Sequence, residues 1–119
     1  MEADPVQPKQ IEVQTITLDQ FRDSLGKPVS LLKIDAESAE REILAGGREF
    51  LERDRPVVSV EVGDSGAAQE SRSLVDDFRN LDFRPWEFQG GRFSRHVPRE
   101  VYAYDNLIFA PSRLDLSSI

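Results

Sequence analysis

Two short runs of apolar residues, separated by one helical pattern, constrain the fold of this chain more than any other feature. The first run, VSLLKI, covers residues 29–34, and the second, VVSVEV, covers residues 57–62. Nearly continuous apolar runs of this length are typical of strands buried on both faces of a parallel sheet. A strand, a helix and a second strand over residues 29–62 have the length of a right-handed crossover unit. The sequence therefore predicts an α/β fold.

The segment between the two runs has the periodicity of an amphipathic helix. Its apolar stripe consists of Ala39, Ile43, Leu44, Gly47, Phe50 and Leu51. Ser38 directly precedes this stripe and is a residue type that favours helix N-caps. The pattern predicts one helix that Ser38 caps, that contains Gly46 and Gly47, and that ends before Pro56.

Two shorter elements are predicted upstream of this unit. Alternating residues predict a half-exposed strand over residues 11–16. Thr17 and Gln20 have the spacing of a capping box, which predicts a short helix with Leu18, Phe21 and Leu25 on its apolar face. Gly26 is the expected end of that helix.

A helix and antiparallel strands are predicted downstream. Residues 63–69 have the composition of a loop, and apolar spacing then predicts a helix over about residues 71–81. Gly90 and Gly91 are expected to turn a hairpin, and NLIFA at residues 106–110 is expected to form the closing strand. The predicted architecture is a parallel strand-helix-strand unit followed by a helix and antiparallel C-terminal strands.

Length and composition narrow the protein classes. The 119 residues fit one small domain, which we expect at residues 11–111, with tails at 1–10 and 112–119. A net charge of −7 opposes binding to nucleic acid, and the lack of cysteine excludes disulfides, thiolate metal sites and cysteine nucleophiles. With a polar start and no apolar stretch of about 20 residues, we expect a cytoplasmic chain without a membrane span.

Acidic residues gather where the two buried strands are predicted to end. Asp35 and Glu37 follow the first strand, while Glu61 and Asp64 lie at the end of the second. Ligands collect at the carboxyl ends of parallel strands, so these acids are candidates for binding a cationic group or for accepting a proton from a hydroxyl. The structural alternative is that they stabilise helix N-termini and satisfy free amides. Both interpretations stay open from the residues alone. His96, the one histidine, is expected at the surface.

The segment LLKIDAESAEREILAGG closely resembles the signature of the FkbM family, which reads roughly LLKIDVEGAEXXVLXGA. The similarity extends upstream to VQTITLDQF and downstream to RPVVSVEVG and NLIFAP, so that it covers about residues 11–111. FkbM proteins resemble class I methyltransferases, which use S-adenosylmethionine and a seven-stranded Rossmann-like sheet. Their acceptors are mostly hydroxyl groups of sugars, lipids or natural products. The resemblance therefore implies a partial Rossmann-like methyltransferase fold, S-adenosylmethionine as cofactor and a small-molecule acceptor.

The resemblance also implies roles for the acidic residues. Asp35 and Glu37 become the catalytic pair after the fourth strand, with Asp35 also contacting the cofactor. Glu61 marks the end of the fifth strand, and Glu61 and Asp64 are the candidates for binding the acceptor; no metal ligand is implied. Ser38 departs from the signature, because the family usually has glycine there. Glycine would permit a positive φ or a close ligand approach, whereas Ser38 is equally consistent with a helix cap.

A second departure concerns the donor site. Class I enzymes bind the donor with a Gly-rich turn, approximately E/D-x-G-x-x-x-G, and no such turn lies upstream of Ile11. We therefore expect this chain to be the C-terminal half of an FkbM methyltransferase. If the family's strand order holds, the strand at residues 29–34 has an open edge. Such an edge favours pairing with a second chain or self-association, unless residues 11–16 cover it.

Three functional hypotheses remain at this point. The first is O-methyl transfer, completed by another half, in which Asp35 or Glu37 assists deprotonation of the acceptor. The second is a non-catalytic remnant that binds partners or dimerises through the open edge. The third is metal-dependent hydrolysis with the four acids. It is the weakest, because carboxylates alone set no metal geometry and no histidine lies near them in the sequence.

Overall fold

The structure is a computed structural model that describes residues 8–64 and 70–119. Residues 1–7 of the predicted N-terminal tail and residues 65–69 of the predicted loop lie outside the described residues. The helices are α1 (Leu18–Leu25), α2 (Glu40–Ala45), α3 (Arg48–Asp54) and α4 (Glu70–Asn80), followed by a short 3-10 helix (Leu116–Ser118). The strands are β1 (Leu31–Ile34), β2 (Val57–Val62), β3 (Phe83–Gln89), β4 (Arg92–Arg95) and β5 (Asp105–Pro111). None of the helices in the described ranges is both long and apolar enough to cross a membrane.

The five strands form one mixed sheet in the order β1-β2-β5-β3-β4. β1 and β2 pair in parallel, with Leu32 opposite Val58 and Ile34 opposite Val60. Every other pair is antiparallel. The α/β class, the parallel strand-helix-strand unit and the antiparallel C-terminal strands are therefore confirmed. β1 lies at one edge of the sheet, and no strand of the described residues pairs with its outer side.

The main core lies between one face of the sheet and the helices. Val58, Val60 and Val62 alternate with less buried residues along β2, as expected for a strand that packs one face against helices. Phe78 of α4 stacks on Phe109 of β5 with ring centroids 4.0 Å apart. This aromatic pair holds α4 against the centre of the sheet.

The prediction of a single helix after Ser38 is wrong. The chain forms α2 and α3 instead, and the break falls at Gly46 and Gly47. These glycines adjoin the start of α1, where the Asp19 amide donates to the Gly46 carbonyl at 3.0 Å. A Cβ on Gly47 would lie 2.9 Å from Leu18 Cδ1 and 3.0 Å from Leu18 Cβ. The break is therefore the place where α1 packs closely on the helical layer.

The start of α1 is as predicted, but the strand before it is not. Thr17 and Gln20 form the capping box, and Gly26 ends the helix with φ of 71°. The predicted strand at residues 11–16 is wrong, because this segment pairs with no strand and all of it is exposed. Ile11 and Val13 are 81% and 74% exposed. A strand needs a hydrogen-bonding neighbour and a surface to cover, and this segment has neither within the described residues. We call residues 10–16 the N-terminal arm.

The C-terminal strands form as expected, with additional packing after them. Gly90 and Gly91 have φ of 58° and 76°, the backbone required by a tight hairpin turn between β3 and β4. Residues 112–119, predicted as a tail, include the short 3-10 helix. Its Leu116 is buried in a small second cluster with Trp86 and Ala110. The C-terminal residues thus cover part of the sheet face opposite the main core.

The prediction that His96 lies at the surface is also wrong. Its side chain is fully buried, with Nδ1 3.1 Å from Glu87 Oε2 and Nε2 2.7 Å from the Tyr102 hydroxyl. The Tyr102 hydroxyl also accepts a hydrogen bond from the Arg99 amide at 3.0 Å. These partners satisfy the imidazole, so burial of a polar ring is tolerated here.

Candidate active site at the ends of β1 and β2

The carboxyl ends of β1 and β2 open into a cavity of about 340 Å³. This volume lies near the lower end of the range for small-molecule sites, roughly 300–1,000 Å³. The structure brings three of the predicted site residues together there, namely Asp35, Glu37 and Glu61. The other described lining residues are Ser38, Glu40, Arg41, Val62, Gly63, Glu70, Ser71, Leu74 and Tyr104. The cavity is therefore strongly acidic.

The carboxylates of this cavity act on one another. The pKa of Glu61 is raised above its ordinary value of 4.5, first by a hydrogen bond shared with the Asp35 carboxyl and then by burial. The negative charges of Asp35, Glu37 and Glu40 raise it further. Two carboxyls this close favour a shared proton, and they also favour any cationic ligand that neutralises them. A carboxylate with a raised pKa is also a better proton acceptor at neutral pH.

Asp64 has a different role from the other three acids. Its Oδ1 accepts from the Ser71 amide at 3.1 Å, and its Oδ2 accepts from the Tyr102 amide at 2.8 Å. Burial alone would raise the pKa of Asp64, but these hydrogen bonds from Tyr102 and Ser71 outweigh it and hold the pKa below its ordinary value. For Asp64 the structural interpretation fits, since the carboxylate ties the end of β2 to α4 and to the Tyr102 segment. The prediction that it contacts the acceptor stays a prediction.

The turn between β1 and α2 places two side-chain-bearing residues in the left-handed backbone region. Glu37 has φ of 42° and Ser38 has φ of 80°. Ser38 does not cap α2, whose N-cap residue is Ala39 and has no side-chain cap bond. The glycine that the FkbM signature has at this position would adopt this backbone without strain. The positive φ at this position therefore explains why the signature has glycine, and Ser38 adopts the same backbone with steric strain.

We expect the Ser38→Gly variant to be more stable than the natural chain by about 0.5–1 kcal/mol, because relief of left-handed strain exceeds the added entropy of glycine. Urea unfolding would measure the difference. Ser38→Ala is the matched control, since it removes the same hydroxyl and keeps the strained Cβ. An equal gain in both variants, or a loss in Ser38→Gly, would contradict the strain assignment.

Sequence reasoning missed the aromatic and basic side chains of the cavity. Tyr104 packs its ring over Gly63, where an added Cβ would lie 3.3 Å from Tyr104 Cδ2. The signal for Tyr104 is the antiparallel register, because Val62 pairs with Asp105 and the next pair along brings Gly63 to Tyr104. Arg41 bridges α2 and α4 through Asp77, with Nε 2.8 Å from Oδ2. No pattern in the sequence indicates this last pairing.

Two kinds of binding feature are not found at the cavity within the described residues. Within residues 8–64 and 70–119, no group of three or more acidic or histidine side chains is placed to hold a metal ion. The glycines with positive φ are Gly26, Gly90 and Gly91, at a helix end and in the hairpin turn. Gly63 is the glycine of the described residues that lines the cavity. No Gly-rich turn of these residues therefore faces it.

Comparison with known proteins supports a family assignment. The family model described as the methyltransferase FkbM domain matches residues 4–87, which is well over half of the chain and includes β1, β2 and the three cavity carboxylates. Neither the curated proteins nor the solved structures that were searched contain a match. The FkbM match indicates methyltransferase chemistry in general. The matched residues contribute to the α/β sheet and to the acidic cavity. Because the family model matches more than half of the chain, the chain belongs to the FkbM methyltransferase domain family.

Proposed function

We propose that this chain forms the acceptor side and the sulfonium side of an O-methyltransferase site that uses S-adenosylmethionine. The observation that carries the proposal is the meeting of Asp35, Glu37 and Glu61 in one cavity inside the segment that matches the family. The acceptor is a neutral or cationic molecule with a hydroxyl group, because the acidic lining repels anions. In this proposal β1 and β2 correspond to the fourth and fifth strands of a Rossmann-like sheet.

The cavity fits one end of the donor. When bound, S-adenosylmethionine supplies an electrophilic methyl group on a positively charged sulfonium. Asp35 and Glu37 would hold this positive end together with the donor's ammonium group, since opposite charges stabilise one another most where water is partly excluded. The described residues present no Gly-rich turn for the adenosine end, so we propose that other parts of the complete site hold it.

The residues of the chain would also prepare the acceptor. An acceptor hydroxyl becomes a good nucleophile as its proton leaves, and a positioned carboxylate contributes about 10²–10⁴-fold to such a step. Glu61 is suited to this task, because its raised pKa brings its proton affinity nearer to neutral pH. The exposed ring of Tyr104 offers an apolar surface for the acceptor beside these carboxylates.

Titration of the ¹⁵N-labelled chain by NMR tests the proposal without knowledge of the acceptor. S-adenosylmethionine and S-adenosylhomocysteine differ by the methyl group and the positive charge. We expect the former to shift the amides of Ser38, Gly63 and Tyr104 with a dissociation constant of about 1 mM, and the latter to bind roughly tenfold more weakly. The Asp35→Asn variant should lose most of this preference.

Glu42→Gln is the matched control, because Glu42 is an acidic residue of the neighbouring helix α2 but lines a separate groove between α2 and α4. It should keep the preference for the sulfonium. Equal binding of the two compounds would overturn the assignment of a sulfonium site. Micromolar affinity for both, unaffected by Asp35→Asn, would show that these residues hold the adenosine end, contrary to the proposal.

The second candidate function is a non-catalytic module that binds a partner. The open edge of β1 favours it, as does the serine at the strained position where the family has glycine. This function predicts no response of the cavity amides to either compound. The same titration therefore separates the two candidates.

A further inference from the structure

The segment between β4 and β5 supplies part of one wall of the cavity. It covers residues 96–104 and contains no helix or strand. Tyr104 at its end packs its ring over Gly63, and both residues line the cavity. The large side chains of Val97, Val101 and Tyr104 are exposed, so they bury little area that could hold the segment in place. The position of this wall therefore depends on a small number of other contacts.

Tyr102 is the buried anchor of the segment, with 1% of its surface exposed. Its amide donates to Asp64 Oδ2 at 2.8 Å, and its carbonyl accepts from the Asp64 amide at 2.9 Å. Asp64 directly follows Gly63, and Tyr104 lies two residues after Tyr102. The two bonds between Tyr102 and Asp64 thus join the chain that carries Gly63 to the chain that carries Tyr104.

His96 holds the side chain of Tyr102. The Arg99 amide donates to the Tyr102 hydroxyl at 3.0 Å, so the hydroxyl accepts there and its own proton is directed elsewhere. The acceptor within reach is His96 Nε2, which lies 2.7 Å away. Burial raises the pKa of Tyr102, so the hydroxyl keeps this proton. A buried hydroxyl that donated to no acceptor would cost free energy, which assigns Nε2 as the nitrogen without a proton.

Glu87 of β3 favours the same form of the imidazole. A neutral ring without a proton on Nε2 has its proton on Nδ1. His96 Nδ1 lies 3.1 Å from Glu87 Oε2, and a carboxylate only accepts hydrogen bonds, so this contact needs the Nδ1 proton. Tyr102 therefore donates to His96 and His96 donates to Glu87. Because all three groups have a consistent partner, they fix the Tyr102 ring in one orientation.

We propose that His96 is a positioning residue of the cavity, which fixes the wall of Gly63 and Tyr104 by holding Tyr102 against Asp64. His96 is not one of the described residues that line the cavity, so it acts through Tyr102 and not by contact with a ligand. The expected effect on ligand binding rests on the proposed function. The expected effect on the wall does not, because it concerns the chain without ligand.

Hydrogen exchange of the ¹⁵N-labelled full chain, followed by NMR, tests the proposal. Tyr102→Phe removes the hydroxyl and keeps the ring and both bonds to Asp64. We expect it to speed exchange of the Tyr102 and Asp64 amides by about tenfold more than exchange at the centre of β2, because the opening is local. The amide resonances of Gly63 and Tyr104 should move as well.

Glu100→Gln is the matched control, because Glu100 lies in the same segment but is exposed and contacts Arg72 of α4 at 3.3 Å. It should leave the exchange of the Tyr102 and Asp64 amides unchanged. Faster exchange in Tyr102→Phe that is equal for these amides and for the centre of β2 would show a loss of global stability only. That result, or no change at all, would overturn the proposal.

Two further measurements examine His96 itself. His96→Gln offers a carboxamide oxygen to the Tyr102 hydroxyl, whereas His96→Leu offers no acceptor. We expect His96→Gln to keep more of the protection of the Tyr102 and Asp64 amides than His96→Leu does. Equal protection in the two variants would overturn the role of His96, and Tyr102→Phe decides if His96→Leu does not fold.

The imidazole of His96 also has a spectroscopic signature. Two-bond ¹H–¹⁵N spectra of the natural chain at mildly alkaline pH should show the ring proton on Nδ1 and none on Nε2. A proton on Nε2 would contradict the assigned direction of the bond from Tyr102, and it would overturn the proposal.

Ligand binding separates this proposal from the proposed function. Tyr102→Phe should weaken binding of S-adenosylmethionine by about threefold, because the wall is less well fixed. Unchanged affinity together with faster exchange would overturn the role of the wall in binding. If the natural chain does not bind S-adenosylmethionine, the proposed function fails, and the exchange results alone decide for or against His96.

Discussion

The Asp54→Ala variant should unfold at a temperature at least about 10 °C below that of the natural chain, because removing one partner of a buried ion pair leaves the other without compensation. The Asp54 side chain is 2% exposed at the end of α3. It accepts from the Arg22 guanidinium of α1, with Nη2 3.1 Å from Oδ1 and a second bond from Nε. It also accepts from the Val29 amide at 3.0 Å, just before β1. One carboxylate thus joins three elements around the base of the sheet.

The pH dependence follows from the same contacts. The hydrogen bond from Arg22 is the main reason that the pKa of Asp54 lies below its ordinary value of 3.8, with the Val29 amide and nearby positive charges adding to it. A carboxylate with a lowered pKa in the folded state stabilises the fold above its unfolded pKa and loses this contribution as pH falls through the folded value. Acid should therefore reduce the stability of the natural chain more than that of Asp54→Ala.

Asp23→Ala is the matched control for Asp54. Asp23 pairs with Arg53 at 3.3 Å, but its side chain is 70% exposed. Exposed pairs of this kind contribute little, so thermal unfolding of Asp23→Ala should stay close to that of the natural chain. Similar losses in the two variants would contradict the central role given to Asp54.

The Gly47→Ala variant should lose about 2 kcal/mol of unfolding free energy, because its new Cβ overlaps Leu18 and pushes α1 off the helical layer. The shortest contact would be to the Cδ1 atom, which can move, but the Cβ of Leu18 would be only 3.0 Å away and is fixed by the helix. Chemical denaturation would measure the loss.

A double-mutant cycle with Leu18→Gly separates this overlap from other effects of the substitution. Gly47→Ala should cost clearly less in the Leu18→Gly background, because both the Cδ1 and the Cβ of Leu18 are absent there. Equal costs in the two backgrounds would show that the glycine is needed for another reason.

The sheet was predictable because its strands carry their own pattern. The two short apolar runs separated by a helical segment predicted the parallel pair of β1 and β2 correctly. The expected burial of both strand faces is wrong for β1, where Leu31 is 67% exposed. The hairpin was equally clear, since Gly90 and Gly91 favour a tight turn. The capping box of Thr17 and Gln20 marked the start of α1 correctly.

The wrong predictions have one physical cause in common. Each depends on tertiary contacts, which a local sequence pattern does not reveal. The break at Gly46 and Gly47 exists because α1, far away in the sequence, packs there. The burial of His96 depends on Glu87 and Tyr102, which supply partners for its two ring nitrogens. The N-terminal arm has a strand pattern, but pattern alone does not provide a neighbouring strand.

The candidate site, too, was only partly predictable from the sequence. The meeting of Asp35, Glu37 and Glu61 in one cavity was predictable, because residues at the ends of neighbouring parallel strands lie at the same edge of the sheet. Asp64 also follows the end of a strand in the sequence, but its carboxylate accepts hydrogen bonds from the amides of Ser71 and Tyr102. Whether an acid at a strand end faces a ligand or the backbone depends on the loops around it, and these carry little periodic signal.

The most direct test of the account is the titration of the Glu61 carboxyl, followed by ¹³C NMR in the natural chain and in Asp35→Asn. The account places Glu61 and Asp35 in one acidic cavity, so Glu61 should titrate above its ordinary pKa of 4.5 in the natural chain. In Asp35→Asn its pKa should fall toward the ordinary value, because the hydrogen bond and the negative charge of Asp35 are gone while burial and the charges of Glu37 and Glu40 remain. A Glu61 that titrates at or below 4.5 in the natural chain and does not respond to Asp35→Asn would contradict the account.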